Sequence, residues 1–102
     1  MNFNAEYSEE MIRGCLDNWK ELHILAEDNQ QSVNCILVDI KASLKFLEDR
    51  DRKIVHQYFI KGLKQQQVAD FIGVSQQYLS RTLIPNIIAE INNILKESGY
   101  NG

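Results

Sequence analysis

The chain has 102 residues, a formal net charge of -3, a hydrophobic fraction of 44% and a charged fraction of 25%. This length permits one small domain, and this composition excludes a disordered tail or a low-complexity linker. Because the chain has only five Gly and one Pro, helices are expected rather than a turn-rich sandwich or barrel. The acidic total argues against a nucleic-acid partner, for which a basic protein is expected.

The first half of the chain predicts two helices. Ser8 is a suitable N-cap, and Glu9 and Glu10 after it favour the positive end of the helix dipole. Apolar residues then recur at spacings of three and four: Met11, Cys15, Leu16, Trp19, Leu22, His23 and Ala26. A second stripe follows a cap at Ser32: Val33, Ile36, Leu37, Ile40, Leu44 and Leu47. In so short a chain, both stripes are expected to form core rather than a partner-binding surface.

The second half predicts three or four shorter helices. Asp49 or Asp51 is suited to cap a third helix, and Gly62 ends it by turning through positive φ. Its apolar positions are Ile54, Val55, Tyr58, Phe59 and Ile60. Pro85 ends or kinks a later helix near Ile84. No segment alternates with a period of two, so the fold class is all-α, with about five to six helices.

The segment from Gln65 to Ile84, Q-Q-Q-V-A-D-F-I-G-V-S-Q-Q-Y-L-S-R-T-L-I, predicts a helix-turn-helix. Ala69 is small enough for the two helices to cross closely. Gly73 stands at the turn, where a Cβ is expected to clash, and Ser75 caps the second helix. The inward positions are Val68, Ile72, Val74, Leu79 and Leu83. An amphipathic hairpin without any DNA contact is the alternative interpretation.

The outward positions of helix 75–84 suit contact with base edges in the major groove of double-stranded DNA. Glutamine pairs with adenine, arginine with guanine, and serine with either. The candidate base-contacting residues are Gln76, Gln77, Ser80 and Arg81. The candidate phosphate-contacting residues are Lys61, Lys64, Gln65, Gln66, Ser75, Arg52 and Lys53. Residues 44–85 carry a net charge of +3 and residues 1–43 carry -5, so the acidic total conceals a basic middle.

Residues 44–84 resemble region four of bacterial sigma factors. The resemblance rests on the pairs Leu44/Leu47, Tyr58-Phe59, Gly62-Leu63, Val68-Ala69 and Ser80-Arg81, with the turn Ile72-Gly73-Val74-Ser75. The same sigma-like helix-turn-helix class includes LuxR-type response regulators and phage late-gene activators of the ArpU type. The resemblance implies major-groove DNA binding and, for sigma relatives, contact with RNA polymerase. Residues 1–43 are too short and too acidic for a sigma region two, so a full sigma role is not expected.

We therefore expect a sequence-specific transcription regulator of bacterial or phage origin. Residues 1–48 would form an acidic helical pair and residues 49–102 the DNA-binding domain, packed as one compact unit. The alternative is a sigma-like or anti-sigma-like module that binds RNA polymerase or a sigma factor. The last apolar stripe has two equally open roles, as a homodimer surface or as part of the monomer's own core. Its residues are Ile87, Ile88, Ile91, Ile94 and Leu95.

Other chemistry is not indicated. Cys15, Cys35, His23 and His56 show no C-x-x-C or H-x-x-x-H spacing, so neither a metal site nor a disulfide framework is expected. No phosphate-binding glycine loop or catalytic cluster is present in the sequence, so no enzyme activity and no cofactor are expected. The first ten residues lack the features of a signal peptide, and no apolar run approaches a membrane span. A cytoplasmic location is expected.

Overall fold

A computed structural model of the chain describes residues 7–27 and 31–97, without the side chains of Gln31 and Ser32. Over these residues the protein is all-α, with six continuous helical segments and no strand, which confirms the predicted fold class. We name the segments α1 (Glu9–Asp17), α2 (Trp19–Glu27), α3 (Gln31–Leu44), α4 (49–60), α5 (Gln65–Ile72) and α6 (76–97). No helix in the described ranges is long and apolar enough to cross a membrane.

The first predicted helix is in fact two. Ser8 caps α1 as expected, since its Oγ accepts a hydrogen bond from the Met11 amide at 3.1 Å. The helix then breaks at Asn18, whose side-chain Nδ2 and backbone N–H both donate to the Gly14 carbonyl, at 2.8 and 3.1 Å. Asparagine favours such local bonds over continued helix. The predicted cap Ser32 lies inside α3, which begins one residue earlier, and its side chain is outside the described residues.

The third predicted helix, α4, begins as an α-helix over Asp49–Ile54 and continues as a π-helical turn over Val55–Ile60. The expectation of an aspartate cap is wrong, because Glu48 occupies the cap position and makes no capping bond. In the π turn, the Lys61 amide donates to the His56 carbonyl five residues back, at 2.8 Å. Gly62 then ends the helix at a φ of 79°, as predicted.

The longest segment, α6, runs without a break through Pro85, so the predicted end of the helix there is wrong. Its parts are Gln76–Tyr78, a π-helical turn over Leu79–Leu83, and Ile84–Glu97. Proline cannot donate the usual backbone bond, and its ring clashes with the carbonyl four residues earlier in a regular helix. The π turn lies just before Pro85, and there the Ile84 amide bonds to Leu79, five residues back. This wider turn accommodates the proline ring.

A single hydrophobic cluster joins the acidic front of the chain, which contains α1, α2 and α3, to its C-terminal half. The last helix α6 packs against α1 and α3. Ile12 and Leu16 of α1, Ile40 of α3 and Ile91 of α6 have no exposed surface. Ile12 was not part of the predicted stripe, although it lies four residues before the buried Leu16 and so on the same face of α1. The first three helices therefore pack against the half of the chain that contains the helix-turn-helix region and support it.

Candidate nucleic-acid interface

The turn between α5 and α6 has the local geometry of a helix-turn-helix. Gly73 adopts a φ of 89°, and its amide and that of Val74 both donate to the Ala69 carbonyl, at 2.8 and 3.0 Å. Ser75 caps α6 through its Oγ, which accepts a bond from the Tyr78 amide at 3.0 Å. Two consecutive amides on one carbonyl close the end of α5, and the serine fixes the start of α6.

Gly73 is required for a different reason from the one predicted. A Cβ placed on it would have no neighbouring atom within 4 Å, so the expected clash is absent. The requirement comes from the left-handed backbone, which L-residues other than glycine adopt only at a steric cost within the residue itself.

Buried side chains fix the angle between α5 and α6. Val68, Ala69 and Leu79 have no exposed surface and Leu83 is nearly as buried, as their inward assignment predicts. Ile72 and Val74 are partly buried against the same core. Full burial of a valine or leucine side chain, as at Val68 and Leu79, contributes roughly 1.5–3 kcal/mol to folding. The packing of these side chains therefore fixes the first turns of α6 relative to α5.

Three of the four candidate base-contacting side chains lie on the surface of α6. Gln76, Gln77 and Arg81 are exposed. Ser80 is only partly exposed, and its Oγ donates to the Gln77 carbonyl at 3.4 Å. At roughly 100° per residue in the α-helical first turn, and less in the wider π turn after it, Gln77 and Arg81 project most directly away from the buried Leu79 and Leu83, whereas Gln76 and Ser80 lie on one flank.

A chain of amide hydrogen bonds links α6 to α5 and α4 on that flank. Gln76 Nε2 donates to Gln65 Oε1 at 3.4 Å, and Gln65 Nε2 donates to the Tyr58 hydroxyl at 3.2 Å. The neighbouring Gln66 takes no part in it, because its Nε2 donates to Asp70 Oδ1 at 2.9 Å. Sequence reasoning placed Gln65 and Gln66 together as phosphate contacts, but the structure gives them different partners.

The basic residues near the turn differ in whether they form an ion pair with an acidic side chain. Lys61 and Lys64 are exposed, and neither they nor Arg81 has an ion-pair partner among the described residues. Lys64 precedes α5, and its amide donates to Gln67 Oε1 at 3.0 Å, which caps that helix. Positive charge at Lys61, Lys64 and Arg81 is thus available to an external anion.

Arg52 and Lys53, also expected to contact phosphate, have internal partners. The Arg52 guanidinium donates to the Leu47 carbonyl at 3.1 Å and to Asp49 Oδ1 at 3.1 Å. Lys53 pairs with Asp49 Oδ2 at 3.3 Å. The hydrogen bonds from Lys53 and then Arg52 hold the pKa of the Asp49 carboxyl below its usual range. The Arg52 side chain therefore supports the connection between α3 and α4.

Exposed aromatic side chains near the turn were missing from the predicted site. Tyr78 follows Gln77 in the first turn of α6 and is 47% exposed, and Phe71 of α5 is 62% exposed. Helical spacing alone could have identified Tyr78, because it lies three residues before Arg81 and next to the inward Leu79. A tyrosine beside amides and an arginine adds a donor, an acceptor and an apolar surface to this face.

The last apolar stripe, for which a dimer surface and a core role were equally open, lies inside the domain. Ile87, Ile88, Ile91 and Leu95 are buried, and Ile94 is partly buried. These side chains pack in the hydrophobic cluster of the monomer, so the core role describes them. A homodimer would need other residues.

The cysteines and histidines do not form a metal-binding cluster. Among residues 7–27 and 31–97, no group of three or more His, Cys, Asp or Glu side chains is arranged to hold a metal ion. Cys15 is partly buried, Cys35 is exposed, and both are free thiols. Burial raises the pKa of the Cys15 thiol, because the thiolate loses solvation there.

Comparison with known proteins relates part of the chain to a sigma factor. No family model matches the chain, and no solved structure matches it. The chain is similar to an RNA polymerase sigma-G factor of Clostridium acetobutylicum, with 43% identity over 44 residues. The match covers 43% of this chain but only 17% of the sigma factor. It is therefore a partial similarity to a sigma factor.

Proposed function

We propose that this protein is a sequence-specific, double-stranded DNA-binding transcription regulator that inserts the first turns of α6 into the major groove. The observation that carries the proposal is the exposed ridge of Gln77 and Arg81 on α6, flanked by exposed Gln76, while buried Leu79 packs the other face of the helix into the core with Val68 of α5. A rigid helix with amide and guanidinium groups on its outer face fits a groove about 12 Å wide.

The chemistry of the ridge matches the donor and acceptor pattern of base edges. The Arg81 guanidinium can donate two parallel bonds to O6 and N7 of a guanine, and a glutamine amide can form a donor–acceptor pair with an adenine. Lys61 and Lys64 then contact phosphates on either side, together with Ser75 at the start of α6. Such contacts orient the protein on the duplex without selecting a sequence.

The partial similarity to an RNA polymerase sigma-G factor supports the transcriptional part of the proposal. It fits a DNA-contacting module of bacterial or phage origin, with no catalytic role. The protein would then act in the compartment that holds DNA and RNA polymerase, the cytoplasm.

A second candidate is a sigma-like or anti-sigma-like module that binds RNA polymerase or a sigma factor. One observation favours it: apolar side chains of the acidic front, Ile24 and Leu25 on α2 and Val38 on α3, are exposed. In this alternative, acidic residues of the first helices determine binding, and association with polymerase survives loss of Arg81. A pull-down with polymerase holoenzyme distinguishes the two candidates.

The direct test is selection of bound sites from random duplex DNA, followed by gel shift of the selected site. We expect Arg81→Ala to weaken specific binding by about 1–3 kcal/mol and to relax selection at one base pair. Arg50→Ala is the matched control, because Arg50 pairs with Asp51 at 3.3 Å and lies on α4. If the triple variant Gln76→Ala, Gln77→Ala, Arg81→Ala binds the selected site as tightly as the original chain, the proposal is wrong.

A further inference from the structure

The hydrogen-bond chain from Tyr58 through Gln65 to Gln76 carries a consequence for base selection. Resting on the DNA-binding function proposed above, we propose that Gln65 is a positioning residue that holds the Gln76 amide ready to bind an adenine, with the Tyr58 hydroxyl as its bonding partner on α4. The ligand at this point of the interface is thus an A·T base pair, and Gln65 is removed from the set of phosphate contacts.

The direction of the chain determines which edge Gln76 presents. The Gln65 nitrogen donates to the Tyr58 hydroxyl at 3.2 Å, so the Gln65 oxygen is turned towards α6, where it accepts from Gln76 Nε2 at 3.4 Å. A primary amide has two N–H groups and one carbonyl oxygen. Gln76 therefore keeps one N–H and its oxygen free.

That remaining pair of groups matches adenine. In the major groove adenine presents N7 as an acceptor and its N6 amino group as a donor, and a glutamine amide satisfies both at once. A guanine presents two acceptors at the corresponding positions, so the Gln76 oxygen would face another oxygen. An amide held in one orientation discriminates between the two purines, whereas a freely rotating amide can turn its nitrogen towards guanine O6.

The surroundings of Gln65 favour a positioning role over a phosphate contact. Its side chain is partly buried and both of its polar atoms are already bonded to neighbouring side chains. Gln66, one residue later, is exposed and bonds only within α5, to Asp70. Fixing Gln76 before binding also reduces the rotamer entropy that is lost when DNA binds.

The test uses the full chain, the site selected from random duplex DNA, and versions of that site with each A·T pair replaced by G·C. We compare Gln65→Met with the matched control Gln66→Met; both keep the unbranched side chain and the helix propensity but remove the amide. We also measure Tyr58→Phe, which keeps the aromatic ring and removes only the hydroxyl. Circular dichroism and thermal unfolding verify that each variant is folded, and binding to random duplex gives the non-specific affinity.

We expect the original chain to lose roughly tenfold or more in affinity at one A·T pair when it becomes G·C. In Gln65→Met this preference falls to about threefold or less, while non-specific affinity and its salt dependence stay unchanged. Tyr58→Phe shows a smaller loss of the same preference, and Gln66→Met retains it. A double variant with Gln76→Met loses no more preference than Gln76→Met alone, because the two residues act as one unit.

Two outcomes separate failure of this inference from failure of the proposed function. If Gln65→Met keeps the A·T preference and weakens binding to all sequences equally, Gln65 contacts phosphate and the positioning role is overturned, although DNA binding stands. If the original chain selects no sequence from random duplex DNA, the proposed function itself is wrong and the role of Gln65 is rejected with it.

Discussion

The two cysteines show how one residue type acquires different reactivity from its surroundings. Cys15 is partly buried on α1, and this burial raises the pKa of its thiol. A raised pKa means a smaller thiolate fraction at neutral pH, and the thiolate is the reactive form. Cys35 is exposed on α3. We expect an aromatic disulfide reagent to label Cys35 rapidly and Cys15 several-fold more slowly in the folded protein.

Single serine variants assign the two labelling phases. Cys35→Ser should leave only the slow phase, and Cys15→Ser only the fast one, with both phases becoming fast in urea. Equal rates in the two folded variants would contradict the burial of Cys15.

Two arginines also differ in their surroundings. Arg52 is bonded to a carbonyl and a carboxylate, whereas Arg81 has no ion-pair partner in the described part of the chain.

At the scale of elements, the helix-turn-helix depends on one glycine whose backbone is left-handed. Gly73→Ala must place a Cβ on a residue with a φ of 89°, which costs about 1–2 kcal/mol of unfolding free energy. Gly14 is the matched control, because it lies inside α1 with free space around a new Cβ. Gly14→Ala should stabilise the protein by about 0.5–1 kcal/mol. Urea denaturation measures both, and a loss of equal size in the two variants would contradict this assignment.

The elements that sequence predicts well are those determined by local chemistry. Ser8 and Ser75 cap helices, and Gly62 and Gly73 end them, because these functions depend on one side chain or one φ angle. The break at Asn18 was missed, since an asparagine inside an amphipathic stripe is also compatible with continuous helix.

Of the two outcomes predicted at Pro85, an end or a kink of the helix, the end was wrong for a related reason. A π turn upstream of the proline removes the clash, and hydrophobic periodicity does not reveal such a turn.

The candidate site was also predicted only in part. Outward positions Gln76, Gln77 and Arg81 follow from helical spacing, but the bonds from Gln65 to Tyr58 and Gln76 join three segments, so only the fold discloses them.

On the scale of the whole molecule, the distribution of charge matters more than its total. Residues 1–43 carry a net charge of -5, and two described helices of this part, α1 and α3, pack against α6. Four basic residues of α1 and α4 form ion pairs with three carboxylates, since Arg52 and Lys53 share Asp49: Arg13, Arg50, Arg52 and Lys53. Three cations without such partners, Lys61, Lys64 and Arg81, belong to the helix-turn-helix region. Lys20, Lys41, Lys45 and Lys96 are also exposed and have no ion-pair partner among the described residues, but they lie outside the helix-turn-helix, so that region itself attracts phosphate over a small area only.

This small area predicts a weak dependence of DNA binding on salt. Each phosphate neutralised by a cation contributes about -0.9 to the slope of log K against log salt concentration. With Lys61 and Lys64 as the phosphate contacts, and Arg81 bound to a base, we expect a slope of about -2. Lys61→Ala and Lys64→Ala should each reduce its magnitude by about one, whereas Lys96→Ala should not, because Lys96 lies about 22 Å along α6 from Arg81.

Gel shifts at four or more salt concentrations, with the same selected duplex for every variant, give these slopes directly. A slope near zero would mean that Lys61 and Lys64 do not contact phosphate, and base contacts alone could not then orient the helix on the duplex. A slope twice as steep, reduced equally by Lys96→Ala, would mean that DNA contacts a much wider surface than the helix-turn-helix. Between these limits, the slope gives the number of phosphates that the helix-turn-helix neutralises. Binding free energy that these phosphate contacts do not supply has to come from base contacts such as those of Arg81 and Gln76.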